Sequence, residues 1–472
     1  MFLALTLCLV PQTAGVTTTR VTAPVAPAAP RPALLRRIRT WDPSLADTPN
    51  GRFHDLELWT EDGPETFGLY VPHVPTPSPT GSGTPLLVHF HVAGGGNFEL
   101  IAFARTMLSE ADARGWYLIA PNQDVRNAAG QRDGRTFGGD EAQRRVQATL
   151  DWALATLPID RQRIYGYGFS MGGGDVLSYA AQHLDPERGA FAAVINHTGT
   201  LVLSEEWTRN APARPPLESV FEGSPAVNRY AYDRASSVEF PWSPTHAGVF
   251  TGAGAHAAQN LFFTPMRSWF HVNDTAFLRA LEFMQALDTL VLDHAIVMVP
   301  TLPPPASGPP IPDHAWEYLD PRTACNWLEQ QTLSVPTAGT LHVARNARYH
   351  DLELRRKTDT DFGAVTFDLP AGASTIQFTG VKNLLRIRID AARSNLATQG
   401  GSLIVNLGRD QHPLFVGRPV IFEVVNLGFV PRDVIQWNTT QQPTWTFVDG
   451  TLLLVSTAPT GATTVDNLEI LR

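Results

Sequence analysis

Five residues, Gly168-Phe169-Ser170-Met171-Gly172, constrain this chain more than any other stretch. They join a strand-forming run, Ile164-Tyr165-Gly166-Tyr167, to the small-residue start of a helix, Gly172-Gly173-Gly174. A Gly-x-Ser-x-Gly run in that setting forces a tight strand-to-helix turn. The flanking glycines let neighbouring backbone approach, and the serine hydroxyl is left standing above the strand end. The helix start behind it offers unpaired N–H groups and a positive dipole end, which suits a negative charge developing on oxygen. Ser170 therefore reads as a nucleophile rather than as part of a structural turn.

At 472 residues with 43% hydrophobic content, the chain can bury large cores and exceeds one ordinary domain, so two domains are expected. Net charge is −9 and no dense Lys/Arg run occurs, which argues against nucleic acid as a partner. Lysine supplies only Lys357 and Lys382 of the 36 basic residues, a bias expected of coding in a GC-rich bacterial genome. Phe2 to Val10 is a short apolar run followed by Pro11, Thr13, Ala14 and Gly15. That is the make-up of a signal-peptide core and cleavage region, here without the usual positive start. Residues 1–15 are read as a signal peptide, residues 16–50 as a Pro/Ala/Thr-rich linker, and the protein as secreted or periplasmic. No other segment is long and apolar enough to span a membrane. With the leader removed only Cys325 remains, so no intramolecular disulfide and no cysteine metal site are expected, and Cys325 itself reads as a packed core residue.

Residues 51–335 alternate strand-like runs with helical periodicity. The runs are His54–Leu58, Phe67–Val71, Leu86–Phe90, Ala190–Ile195, Met266–His271 and Ala295–Val299; Val146, Leu150, Leu154 and Leu157 mark a helix. This predicts a mostly parallel sheet with helices on both faces. A closing helix begins at Asp320-Pro321, where proline's missing N–H is harmless. From 336 to 472 the period is two: Val365, Phe367 and Leu369, then Leu385, Ile387 and Ile389, then Leu403, Val405 and Leu407. That predicts a separate β-sandwich of antiparallel sheets with one wet face. Residues 52–58 (RFHDLEL) nearly recur at 348–354 (RYHDLEL), which reads as two edge-like strands of similar composition rather than a repeat architecture.

A serine nucleophile needs a base, and the base needs an acid to orient it, both on loops past the strand ends in the order Ser, Asp, His. Asp274 ends the run Trp269-Phe270-His271-Val272-Asn273 just before a helix marked by Phe277, Leu281 and Met284, and fits the acid; Asp288 and Asp293 are alternatives. His314, in Pro312-Asp313-His314-Ala315-Trp316, is the only histidine between the last strand and the closing helix, and fits the base. Two N–H donors must face the oxyanion. Met171, after the nucleophile, supplies one. In the loop His91-Val92-Ala93-Gly94-Gly95-Gly96-Asn97, Ala93 is the choice for the second, with Gly94 as the alternative. Trp316 lies two residues from His314 and is expected to border the substrate pocket. An insertion from Gly199 to Pro265, with Trp207, Tyr230, Tyr232, Trp242 and Phe250, is a candidate cover for it. Asp175, on the elbow helix, reads as a solvated or dipole-facing residue.

The strand leading into GFSMGG, the HVAGGG loop, HVND and DHAW together resemble the secreted-esterase and polyhydroxybutyrate-depolymerase-like branch of the α/β-hydrolases, which includes feruloyl and acetyl-xylan esterases, over about residues 52–333. The resemblance implies Ser170 as nucleophile, Asp274 as acid, His314 as base and Ala93 as the oxyanion donor after a His-Gly pair; this chain has Val92 at that glycine. The expectation is thus an α/β-hydrolase followed by an all-β sandwich, acting as an exported serine esterase through an acyl-enzyme, with no metal and no cofactor. A prolyl-oligopeptidase-like peptidase is one alternative. A non-catalytic carbohydrate-binding or adhesion protein on a hydrolase scaffold is another. The C-terminal region is expected either to hold an insoluble polymer carrying the ester, a polysaccharide or polyester, or only to pack against the rest.

Overall fold

Long runs of apolar residues set the centre of the sheet, because parallel strands covered on both faces cannot alternate with polar ones. Thr84–Phe90 and Ala193–His197 are buried at every position. The structure, a computed structural model, describes residues 36–37, 47–48, 51–79, 81–99, 105–127, 130–237, 260–274, 294–300, 310–396, 402–415, 418–437, 439, 442–456 and 465–472. The proposed leader, most of the linker, the helix expected after Asp274, Asp288, Asp293, Trp242 and Phe250 lie outside the described residues.

The strands are β1 (Arg36–Arg37), β2 (Asp47–Thr48), β3 (Gly51–Thr60), β4 (Gly63–Pro72), β5 (Thr84–Phe90), β6 (Tyr117–Pro121), β7 (Val125–Arg126), β8 (Arg132–Asp133), β9 (Ile159–Phe169), β10 (Ala193–His197), β11 (Met266–His271) and β12 (His294–Val299). One sheet runs β1-β3-β4-β6-β5-β9-β10-β11-β12, with β2 also on β3. From β6 to β12 every pair is parallel, while β4 runs against both β3 and β6. The α-helices of this part among the described residues are α1 (Arg105–Arg114), α2 (Asp140–Thr156), α3 (Met171–Gln182), α4 (Leu203–Arg209), α5 (Arg214–Val220), α6 (Arg229–Ala235) and α7 (Pro321–Glu329). Helices α1 and α7 cover one face, where Met107, Leu108, Ala324, Cys325 and Leu328 pack on Leu87, Leu118, Tyr165 and Ile195. On the other face Trp152 of α2 meets Phe67 and Tyr179 of α3 meets Phe90. The N-cap of α7 is Asp320, whose carboxylate accepts from the Arg322 N–H, with Pro321 in the first turn. This is an α/β-hydrolase fold.

Residues 338–471 form two further six-stranded sheets. Their strands are β13 (Ala338–Val343), β14 (Ala347–Tyr349), β15 (Leu352–Arg356), β16 (Gly363–Asp368), β17 (Thr375–Lys382), β18 (Leu384–Asp390), β19 (Ser402–Gly408), β20 (Ile421–Val425), β21 (Asp433–Gln436), β22 (Thr444–Val448), β23 (Thr451–Val455) and β24 (Val465–Leu471). The orders are β13-β16-β17-β19-β24-β21 and β14-β15-β18-β20-β23-β22. The inner faces share one core that includes Val365, Phe367, Ile376, Phe378, Ile387, Ile389, Val405 and Phe422.

Three expectations for this region are corrected. The sheets are not purely antiparallel: β17 pairs with β19 and β18 with β20 in parallel. Leu385 faces outward and Leu384 takes its place inside, because the pairing of β15 with β18 shifts between Arg355 and Arg356. The two heptapeptides also differ in shape. Residues 52–58 lie within β3, whereas 348–354 fold into the hairpin β14–β15. In the second copy His350 turns to a φ of 54° and its N–H donates to Leu184 O across the interface. Tertiary contacts outweigh the shared propensity.

That interface is dense. Leu184 and Phe263 of the hydrolase part sit within the core of the two sheets. The Asn260 amide donates to Ala181 O and to His342 O, and accepts from the His342 N–H, each at 2.7 Å. Tyr230 donates to Ala344 O at 2.7 Å and Arg345 to His183 Nε2 at 2.6 Å. Tyr230 thus serves the interface and not a pocket. A chain ending at Val335 would leave Leu184 and Phe263 in water and these polar groups unpaired. Such a truncated protein is expected to aggregate or to melt well below the full chain; a soluble product with the full-length melting temperature would contradict this.

Candidate active site

The geometry of the site begins with backbone strain. Ser170 has φ 57° and ψ −125°, a conformation that costs on the order of 1–3 kcal/mol in a residue with a Cβ. Its N–H donates to His197 O at 2.9 Å, and its carbonyl accepts from the N–H of Gly173 at 2.9 Å. Glycine is required on either side. A Cβ at Gly168 would lie 2.0 Å from Gly172 O, and one at Gly172 would lie 2.1 Å from Phe90 O and 2.7 Å from His91 O. The last contact shows that the chain leaving β5 runs directly over the start of α3.

On this elbow Ser170 Oγ donates to His314 Nε2 at 2.8 Å, and His314 Nδ1 donates to Asp274 Oδ2 at 2.8 Å. A carboxylate can only accept, so it places the imidazole proton on Nδ1 and leaves the Nε2 lone pair facing the serine. Asp274 is buried while the His314 side chain is 43% exposed. Asp274 Oδ2 also accepts from the Thr198 hydroxyl at 2.8 Å. The structure therefore brings the three sequence-predicted residues into one hydrogen-bonded line across the ends of β9 and β11 and the loop before α7.

The loop after β5 separates the two oxyanion candidates. The Gly94 N–H donates to Gly134 O at 3.2 Å, so this alternative is already engaged. Among the described residues the N–H groups of Met171 and Ala93 make no hydrogen bond, and Ala93 is exposed. Glu99 shapes this loop by accepting from the Val92 N–H at 2.9 Å and pairing with His89 at 3.1 Å.

Trp316 is half-buried, its ring 4.1 Å from Phe169 and 6.4 Å from Tyr167. Phe169 in turn lies 4.9 Å from the His314 ring. Trp316 thus buttresses the aromatic wall on which His314 rests. His197 and Thr198 were not picked out from the sequence; the position just past a central parallel strand was the available signal. Burial, helped by the nearby His314, pushes the His197 imidazole down to about 3, so it stays neutral and adds no competing charge. Trp207, another pocket candidate, is turned to Glu218 and Arg214. The described helices of the insertion, α4 to α6, pack instead over the Met171 side chain with Leu203, Leu217, Phe221 and Tyr232. Among the described residues no His/Cys/Asp/Glu cluster has the form of a metal site.

Asp175, expected to be solvated or to face the helix dipole, is not solvated but buried, accepting from the Thr136 hydroxyl at 2.9 Å and from the Gly138 N–H. It ties the 136–138 turn to α3. Burial pushes its carboxyl up to about 7, and Glu65, buried beside Arg145, is likewise pushed up to about 7.

No family model and no curated protein matches this chain. Among solved structures, it is similar to an S-formylglutathione hydrolase from Agrobacterium tumefaciens, at 14% identity over 61% of this chain and 98% of that one, with a TM-score of 0.43. It is also similar to the fluorophosphonate-binding serine hydrolase FphF of Staphylococcus aureus, at 12% identity over 60% and 99%, TM-score 0.41. A third is carboxyl esterase 2 of Tuber melanosporum, at 15% identity over 60% and 86%, TM-score 0.41. Likeness at this level carries nothing about what this chain acts on.

The two raised carboxyls bear on stability. Each keeps its proton in the folded protein at pH values where the unfolded chain has released it. Their contribution is therefore largest near the ordinary carboxyl range of ~4 and is lost as pH rises toward about 7. Asp175→Asn removes one of the two. The Thr136 hydroxyl can then turn to accept from the new amide, donating to Met171 Sδ, 3.8 Å away. Thermal melts at pH 5 and pH 8 should show a smaller drop for the variant than for the wild type; equal drops would contradict the assignment.

Proposed function

We propose that this chain is a serine esterase that hydrolyses carboxylic esters through a covalent acyl-enzyme. The observation that carries the reading is the line from Ser170 Oγ through His314 to Asp274, two hydrogen bonds of 2.8 Å each, built on a strained strand-to-helix elbow. Ser170 Oγ attacks the ester carbonyl carbon as His314 Nε2 takes the hydroxyl proton. The carbonyl oxygen becomes an oxyanion that the N–H groups of Met171 and Ala93 stabilise at the start of α3. Collapse of the tetrahedral adduct breaks the bond to the alcohol, which leaves with the proton from His314. Water then gives a proton to His314 and attacks the acyl carbon, and the proton returns to Ser170 as the acid departs. Asp274 holds the ring and balances the imidazolium that forms twice in this cycle.

In its finer form the proposal places the esterase in the polyhydroxybutyrate-depolymerase-like and feruloyl-esterase-like branch, acting outside the cytoplasm on esters of a polysaccharide or polyester. Support comes from the GFSMGG, HVAGGG, HVND and DHAW motifs and the apolar run Phe2 to Val10. A turnover screen across acetyl, feruloyl and hydroxybutyrate esters, with the matching amides, separates the substrate classes and distinguishes esterase from peptidase.

Ser170→Ala should fold normally and lose ester turnover by ~10⁴-fold or more, with loss of fluorophosphonate labelling. His314→Ala and Asp274→Asn should each lose most activity, and combining either with Ser170→Ala should cost little more, since the groups act as a unit. Substantial turnover by a well-folded Ser170→Ala protein would sink the proposal.

A further inference from the structure

Thr198 holds a backbone conformation that threonine avoids. Its φ is 55°, in the left-handed region where a β-branched residue is an outlier, and it is buried. Strain of this kind persists only where the surroundings over-determine it, and it clusters at functional sites. Here the surroundings do. The Thr198 N–H donates to Trp269 O on β11 at 2.8 Å, and the next N–H, from Gly199, donates to Asn196 Oδ1 at 2.8 Å. The carbonyl of the preceding residue, His197, accepts the N–H of Ser170 at 2.9 Å. With the chain so held, the Thr198 hydroxyl reaches Asp274 Oδ2, the same oxygen that accepts from His314 Nδ1.

We infer that Thr198 is a positioning residue for the proposed ester hydrolysis: its hydroxyl fixes the Asp274 oxygen on which His314 depends, and its strand end ties that oxygen to the nucleophile's backbone. The inference rests on the reading of Ser170, His314 and Asp274 as a triad. A carboxylate turns easily about its last torsion, and a turn would carry Oδ2 away from His314. A second donor on Oδ2 opposes that rotation. Because the hydroxyl acts on the acid and not on the substrate, its removal should slow the chemical step and leave substrate binding alone.

Three substitutions separate this role from a structural one. Thr198→Val keeps the shape and removes the donor. Thr198→Ser keeps the donor. Thr198→Gly removes the donor and relieves the positive φ. Steady-state kinetics on a soluble acetyl ester, with the rate of fluorophosphonate labelling and a thermal melt for each, should give a kcat roughly tenfold or more lower in the Val and Gly proteins, KM within about twofold, and proportionally slower labelling. The Ser protein should stay within about threefold of wild type, and the Gly protein should be slow without a lower melting temperature. Wild-type kcat in folded Val and Gly proteins, or a Ser protein as slow as the Val protein, overturns the inference while leaving the triad standing. A wild-type protein that neither turns over the ester nor takes the label overturns the inference together with the reading beneath it.

Discussion

Everything at the site depends on holding Ser170 at a positive φ between β9 and α3. A strain on the order of 1–3 kcal/mol is outweighed by the burial of several large side chains at ~1.5–3 kcal/mol each, and the elbow is set among many. Strand β9 ends in the buried residues Tyr165, Tyr167 and Phe169, and α3 is buried along its whole length. Relaxing Ser170 would therefore mean moving a strand and a helix that are both fully packed. The glycines at 168 and 172 make the opposite contribution: they remove the clashes that would otherwise add to the strain.

The parallel sheet explains why residues so distant in sequence meet. Strands β9, β10 and β11 run the same way, so Phe169, His197 and the residues after His271 emerge at one edge. Each loop leaving that edge carries one part: the serine, the Thr198 hydroxyl and the Asp274 carboxylate. The loop before α7 brings His314 from the side, where Phe169 and Trp316 form an aromatic wall of tilted rings beside it. A neutral, buried His197 completes that wall next to Phe169.

The parts legible in the sequence were those where one local rule decides the outcome. The elbow needs its glycines, the α7 start needs its Asp-Pro cap, and apolar runs of strand length mark a buried parallel sheet. Ser170, Asp274 and His314 could be chosen because chain order and strand ends restrict where such groups can stand. The parts that were not legible depend on contacts between distant segments. RYHDLEL bends where RFHDLEL stays straight, since the His350 N–H finds Leu184 O. Leu384 replaces Leu385 inside because a neighbouring strand slips its register. Asp175 is buried because the 136–138 turn closes over it. Thr198 had only its place just past a central strand as a signal, since its conformation is set by β11 and its value by a carboxylate 76 positions away.

The C-terminal sheets enter the same mechanical argument through α3. That helix starts just after Ser170, and the chain at its far end is held by the β-sheet region. Ala181 O accepts from Asn260, which is paired with His342; Leu184 O accepts from His350; and His183, stacked on Tyr179 at 3.9 Å, accepts from Arg345. Sliding this helix along its axis to relieve the elbow would therefore break the interface as well as the packing along its length. Beside these hydrogen bonds, Leu184 and Phe263 are buried in the core of residues 338–471, so the far end of α3 and that core share one packed boundary.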